Sequence, residues 1–192
     1  MPNAIRLKLR LSALAATAGL IGAAAIAVNS ANSQMAPFGG DEDVAYSKQL
    51  WTVLADAKLV GEGAIRTKPY EGTEPHGFVL ETLYSTVTVN GHTGTVIVKR
   101  NYGPEGVSPE EIANDPSRTP AAVTVMFFRE QGYDPDNKDI YWVKYLADGS
   151  LDKNPKGMQL AGRVAKGADA GCIACHSAAE GGDYEFLRDT AM

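Results

Sequence analysis

Apolar residues along this chain follow two different periods, and the change between them divides the sequence. Val44, Leu50, Trp51, Leu54 and Ala55 form a partial helical stripe in a segment that opens on Asp41-Glu42-Asp43 and runs to about Lys58. The three acids suit a helix N-terminus, where the backbone dipole favours negative charge. A passage rich in Gly and Pro follows (Gly61, Gly63, Pro69, Gly72, Pro75), and then β-branched and aromatic residues take over. Phe78–Val89 and Thr95–Val98 flank Asn90-Gly91, the sign of a tight β-hairpin turn. Ala121–Phe128 and Asp139–Leu146 read as two further strands, the second ending in Asp148-Gly149. In the polar loop between Gly103 and Pro120, Ser108-Pro109-Glu110-Glu111 starts a short helix. Ser is the cap, Pro the first residue, and Glu stands three positions after the cap. Residues 150–170 show no clear period, and no internal repeat is visible. The pattern predicts an α+β fold: a mainly antiparallel sheet, an N-terminal helix, and short helices around the C-terminal motif described below.

Composition narrows the class of partner. The chain has 192 residues, 44% of them hydrophobic and 21% charged, which suits a folded domain. Its formal charge is −5, yet the first 33 residues hold Arg6, Lys8, Arg10 and no acid. The remainder therefore sets 15 basic residues against 23 acidic ones, a charge of −8. An acidic body argues against a nucleic-acid partner, because phosphate binding needs clustered Lys and Arg.

The basic start leads into an uncharged stretch, Leu11–Val28, and then into Asn29-Ser30-Ala31-Asn32-Ser33. Basic, apolar and small-residue regions in that order make up a secretory signal. Cleavage after Ala27 or Ser33 is expected, with Ser33 preferred because it leaves Gln34 as the first residue. The competing reading is an uncleaved anchor, but 18 residues dominated by Ala and Gly make a poor span. Residues 1–33 are thus assigned to a signal peptide and 34–192 to one exported domain, with the periplasm as the expected location.

The two cysteines of the chain fall together in Cys172-Ile173-Ala174-Cys175-His176. C-x-x-C-H is the attachment pattern of c-type haem. Two thiols at this spacing can add to the two vinyl groups of one porphyrin, and the adjacent imidazole then becomes the proximal iron ligand, His176. A thioredoxin-like site belongs after a strand in an α/β pattern, which is missing here. A structural zinc site lacks further cysteines, and His76 and His92 lie far upstream. A plain disulfide is the remaining alternative. Only 16 residues follow His176, and Met192 is the one methionine among them. Met126 lies in an apolar strand where packing is its expected role, and Met158 is also upstream. The iron is therefore expected to be five-coordinate or weakly water-ligated, open to small molecules.

A late haem motif also occurs in the cytochromes c′, which are four-helix bundles, but the strand-rich middle of this chain excludes that fold. From about Tyr70 to Leu187 the chain resembles the cytochrome P-460 family, including the relatives called cytochrome c′-beta. The resemblance is carried by Glu74-Pro75-His76-Gly77, Gly94-Thr95-Val96-Ile97-Val98-Lys99, Val125-Met126, Gly132-Tyr133-Asp134-Pro135, Trp142-Val143-Lys144-Tyr145, Gly171–His176 and Asp183-Tyr184-Glu185-Phe186. It implies a homodimer with one covalent haem c per chain, a redox partner such as another cytochrome, and a small diatomic or nitrogenous ligand. In the P-460 branch a lysine matching Lys99 is covalently joined to the porphyrin and the enzyme oxidises hydroxylamine. In the c′-beta branch no cross-link forms and the haem binds nitric oxide or carbon monoxide. Arg100 beside Lys99 and the Pro75-His76-Gly77 turn depart from the hydroxylamine oxidisers, so both branches stay open. Without the resemblance Lys99 reads as a solvated residue closing an edge strand. His76 is expected at the surface of a turn ahead of a role as distal haem partner. Phe127 and Phe128 lie on opposite strand faces, so one of them is a candidate wall of the distal pocket. Asp183-Tyr184 is a candidate to orient His176 or a haem propionate.

Overall fold

The computed structural model describes residues 37–186. The first helix, α1 (Asp41–Asp56), starts at Gly40 with the three acids in its first turn. It buries Tyr46, Ser47, Leu50 and Leu54, a stripe one side of the helix wide. The helix stops two residues short of Lys58, which adopts a left-handed φ of 56° while the Leu59 amide bonds back to the Leu54 carbonyl (2.8 Å).

Six strands follow: β1 (Tyr70–Glu71), β2 (Val79–Val89), β3 (His92–Tyr102), β4 (Ala122–Phe128), β5 (Ile140–Leu146) and β6 (Ala161–Gly162). They form one sheet in chain order, each pair antiparallel. Asn90 and Gly91, both at positive φ, make the two-residue β2–β3 turn, and β3 starts at His92, three residues before the expected Thr95. Between β3 and β4 lies α2 (Pro109–Asn114), closed by the expected capping box: the Glu111 amide donates to Ser108 Oγ (3.2 Å) and the Ser108 amide to Glu111 Oε2 (2.7 Å). The last helix, α3 (Cys172–His176), is five residues long. The fold is α+β, as the pattern predicts. Among the described residues no helix is long and apolar enough to cross a membrane; the signal-peptide reading of residues 1–33 lies outside them.

Side chains alternate across a strand, so the register sorts the sheet into two faces. One face carries Leu83, Val87, Val96, Val98, Val125, Phe127, Tyr141, Val143 and Tyr145, and α1 covers it with Tyr46, Leu50 and Leu54. Full burial of a leucine such as Leu50 contributes about 2–3 kcal/mol. The opposite face carries Ile97, Met126, Ile140 and Trp142, which pack with Phe38, Val164 and Ile173 of α3. The candidate site lies on this second face.

Candidate functional site

Alternation and register together place three rows of side chains on the α3 side of the sheet. Tyr84, Ile97, Met126 and Trp142 form an apolar row across β2–β5. Thr82, Lys99, Thr124 and Lys144 form the next, polar row, and Leu80, Asn101, Ala122 and Leu146 the third. The first two rows floor a cavity of about 870 Å³, which α3 and residues 152–160 wall in. Lys99, His76, Cys172, Cys175 and His176, separated by up to a hundred residues in sequence, all line this one cavity.

The thiol-bearing turn is set by Gly171, whose φ of 123° is open to glycine and whose Cβ, if present, would run into that of Ala165. Ile173 points into the apolar cluster and anchors α3. Both cysteines are free in this structure, Cys172 half-buried and Cys175 exposed. Burial pushes the Cys172 thiol up to about 11. His176 is buried, and its Nδ1–H donates to the Tyr184 carbonyl at 2.7 Å. That bond fixes the tautomer and leaves the Nε2 lone pair available to a metal. Burial, with a smaller contribution from the Lys99 charge, holds the His176 imidazolium below its usual range.

Tyr184 is thus the residue that orients His176, through its main chain. Its hydroxyl reaches Asn137 Oδ1 (3.3 Å), in the turn that follows Gly132-Tyr133-Asp134-Pro135. Asp134 is fully buried there, accepting from Asn137 Nδ2 (2.9 Å) and paired with Lys166. Asp183 instead accepts the Glu185 amide (2.9 Å), an Asx-type turn that shapes the segment locally.

Three expectations are corrected. Lys99 is no edge residue: β3 is interior to the sheet, and the side chain is half-buried on the cavity floor. His76 is half-buried on the cavity wall rather than at the surface, because the 73–78 turn folds back over β4. Its Nδ1 lies 3.3 Å from Thr124 Oγ1, and its ring centroid is 5.9 Å from that of His176. Burial first, and then the charges of Lys99, His176 and Lys144, press His76 down to about 4, so it is neutral at pH 7. Phe127 belongs to the α1-side core and Phe128 packs against the second cluster, and neither lines the cavity. Met126 packs in the second cluster, as its strand position predicts, and also lines the cavity beside Trp142. Met192 falls outside the described residues.

Trp142, Lys144, Thr82, Tyr84 and Tyr70 also belong to the site, and sequence reasoning passed over their roles. Their signal was parity: in the observed register, Thr82 and Lys144 share the row of Lys99. Tyr70 is tied to Thr82 by a hydroxyl–hydroxyl bond of 2.7 Å. The arrangement fits the group that the C-x-x-C-H pattern implies. The cavity volume lies within the ~300–1,000 Å³ of sites that enclose a small-molecule ligand. Two thiols and an imidazole with a free Nε2 converge on it. The Trp142 indole nitrogen is buried with no hydrogen-bond partner among the described residues, a donor at the wall 4.9 Å ring-to-ring from His176. Lys68, Lys99, Lys144 and Lys153 line the cavity against Asp152 and Glu185, a net cationic setting in an otherwise acidic chain that suits carboxylate-bearing groups. Lys144 is also paired with Asp152 at 2.8 Å. Comparison of the chain with protein-family models, with curated proteins and with solved structures returns no match.

Proposed function

We propose that this chain is an exported c-type monohaem protein of the cytochrome P-460 kind, which oxidises hydroxylamine or a related small nitrogen compound at an open haem iron. The observation that carries the reading is the presence of Lys99 on the wall of the cavity that Cys172, Cys175 and His176 line. Strand β3 is paired on both sides, so it holds Lys99 against that space with little freedom. Bound there, the haem supplies a redox-active iron with a position open to a small nitrogen ligand.

The residues divide the work. Cys172 and Cys175 would hold the haem by adding their thiols to its two vinyl groups. His176, oriented by the Tyr184 carbonyl, would hold the iron through Nε2. Lys99 would present the amine for a C–N bond to the porphyrin, a step that removes one N–H and one ring C–H hydrogen and passes two electrons to an added oxidant such as a peroxide, and that alters the electronics of the ring. Ile97, Met126 and Trp142 keep bulk water from the space beside them. Arg100, which follows Lys99, points to the opposite face and is 3% exposed, so this departure from the hydroxylamine oxidisers leaves the cavity unchanged. A homodimer, a periplasmic setting and a redox partner cytochrome complete the proposal.

Peptide mass spectrometry of the purified protein tests it. The Lys99 peptide is expected joined to the haem peptide containing Cys172 and Cys175, with a red-shifted Soret band. Lys99→Ala is expected to restore an ordinary c-type spectrum and abolish hydroxylamine oxidation. The second reading, a c′-beta-like protein that binds nitric oxide or carbon monoxide without turnover, draws on the apolar row Tyr84–Ile97–Met126–Trp142. An unmodified Lys99 peptide together with carbon monoxide binding to the ferrous protein would select it.

A further inference from the structure

Two imidazoles line the main cavity, and the proposed function uses only one of them. His176 is anchored through Nδ1 to the Tyr184 carbonyl (2.7 Å), which leaves its Nε2 lone pair to a metal. His76 is anchored in the same way, its Nδ1 standing 3.3 Å from Thr124 Oγ1 on β4, so Nε2 is again the nitrogen left over. The two ring centroids are 5.9 Å apart and the ring planes stand at 87°. The turn that carries His76 is held by its own backbone. The Gly72 amide donates to the Phe78 carbonyl (2.7 Å), the His76 amide to the Thr73 carbonyl (3.1 Å), and the Phe78 amide to the Tyr102 carbonyl (3.2 Å). The ring can therefore swing about its side-chain bonds while the turn stays in place.

The separation decides what His76 does once His176 holds the iron. Two imidazole nitrogens on one metal, each at ~2.0–2.1 Å, put the ring centroids roughly 6 Å apart once the two half-rings are added. Rings that share an axis can stand at any angle to each other. A histidine that instead hydrogen-bonds a two-atom molecule on the iron stands further back, with the centroids about 8 Å apart. The observed 5.9 Å matches direct ligation. We propose that His76 is the second axial ligand of the resting iron, holding through Nε2 the position opposite His176, and that a small nitrogen ligand enters by displacing it. Thr124 Oγ1 then accepts from His76 Nδ1–H, as the Tyr184 carbonyl accepts from His176. A single long side-chain hydrogen bond makes this the weaker-held of the two imidazoles, and so the one that yields. This inference rests on the haem of the proposed function, and makes the open position of that iron one that the incoming ligand must open.

Spectra of the ferric holoprotein test it. Electron paramagnetic resonance of the wild type is expected to show six-coordinate, low-spin iron. Near-infrared magnetic circular dichroism of the same sample, which needs no variant, is expected to identify both axial ligands as imidazoles. His76→Ala should turn the iron high-spin with haem content unchanged, and added free imidazole should return it to low spin. Thr124→Val, which keeps the shape and removes the acceptor, should give a mixture of the two spin states. If His76 occupies about nine-tenths of the irons, a ligand that must displace it binds about tenfold more weakly than to a vacant iron. His76→Ala should therefore tighten carbon monoxide binding to the ferrous protein about tenfold. High-spin iron in a wild type that carries covalent haem overturns the inference and leaves the oxidase reading standing, the two rings being then an edge-to-face pair only. Low-spin iron that persists in His76→Ala overturns it too, with Lys99 or Met126 as the ligand. A wild type with two imidazole ligands that does not oxidise hydroxylamine supports the inference and removes the oxidase reading.

Discussion

Directly behind the Lys99 row, on the opposite face of the sheet, a single carboxylate holds two guanidiniums, and its removal yields a measurable prediction. Glu81 is fully buried and accepts from Arg66 Nε (2.9 Å), the Thr67 amide (3.1 Å), Arg100 Nη1 (3.2 Å) and the Tyr102 hydroxyl. Burial first, and then this carboxylate, push the Tyr102 phenol up to about 12, so it stays protonated and donates. Arg66 continues to the Ile112 carbonyl of α2 (2.8 Å), and Arg100 to the Ile65 carbonyl. Glu81→Gln keeps the shape and one acceptor but deletes the charge. Arg66 is 29% exposed and can turn to solvent, whereas Arg100 at 4% cannot. The penalty is therefore that of one uncompensated buried cation, about 3–5 kcal/mol. At about 2–4 °C per kcal/mol for a domain of this size, the apparent Tm should fall by about 10 °C. Thermal unfolding of the holoprotein followed by far-UV circular dichroism measures it. The double variant Glu81→Leu/Arg100→Met removes both buried charges and should recover most of the loss, because an apolar replacement of a buried pair is often neutral. A single variant within about 2 °C of wild type would refute the reasoning, since Arg100 would then be finding water inside the sheet. Haem content at room temperature should not change, because Glu81 and Thr82 point to opposite faces.

Three further predictions concern the site and its support. Cys172→Ala/Cys175→Ala should abolish covalent haem, read by acidified-acetone extraction. In haem-free protein at pH 8, iodoacetamide should label exposed Cys175 well before Cys172, whose thiol is held protonated until the pH approaches about 11. Peptide mapping across that pH range should show Cys172 labelling rising as the solution becomes more basic, and in the holoprotein neither should label. Leu50→Ala, under α1 and remote from the cavity, should cost about 3 kcal/mol by denaturant unfolding and leave the haem spectrum intact.

What could be read from the residues follows from how local each signal is. The Asn90-Gly91 turn, the Ser108 capping box and the alternation of the β-branched runs are decided within a few positions, and all appear in the structure. Strands β1 and β6 are two residues each and exist because β2 and β5 offer them an edge, so no local pattern announced them. The site divides in the same way. Cys172, Cys175 and His176 are adjacent in sequence and carry their chemistry in their spacing. Lys99 and Arg100, two consecutive basic residues closing one strand, look equivalent in the sequence. Alternation sends them to opposite faces, and only the register with β2 decides which finds Glu81 and which the cavity. His76 was legible as part of a turn, but a turn signal does not say what the turn folds over. Its contact with Thr124 spans 48 residues and depends on two intervening strands being in register. Asn101 shows the limit of strand patterning most clearly. A polar residue on a strand ordinarily reads as an exposed position, yet Asn101 is buried with no partner for its amide among the described residues. Chemistry carried by neighbours in the chain can be read early; chemistry carried by neighbours across a sheet has to wait for the register.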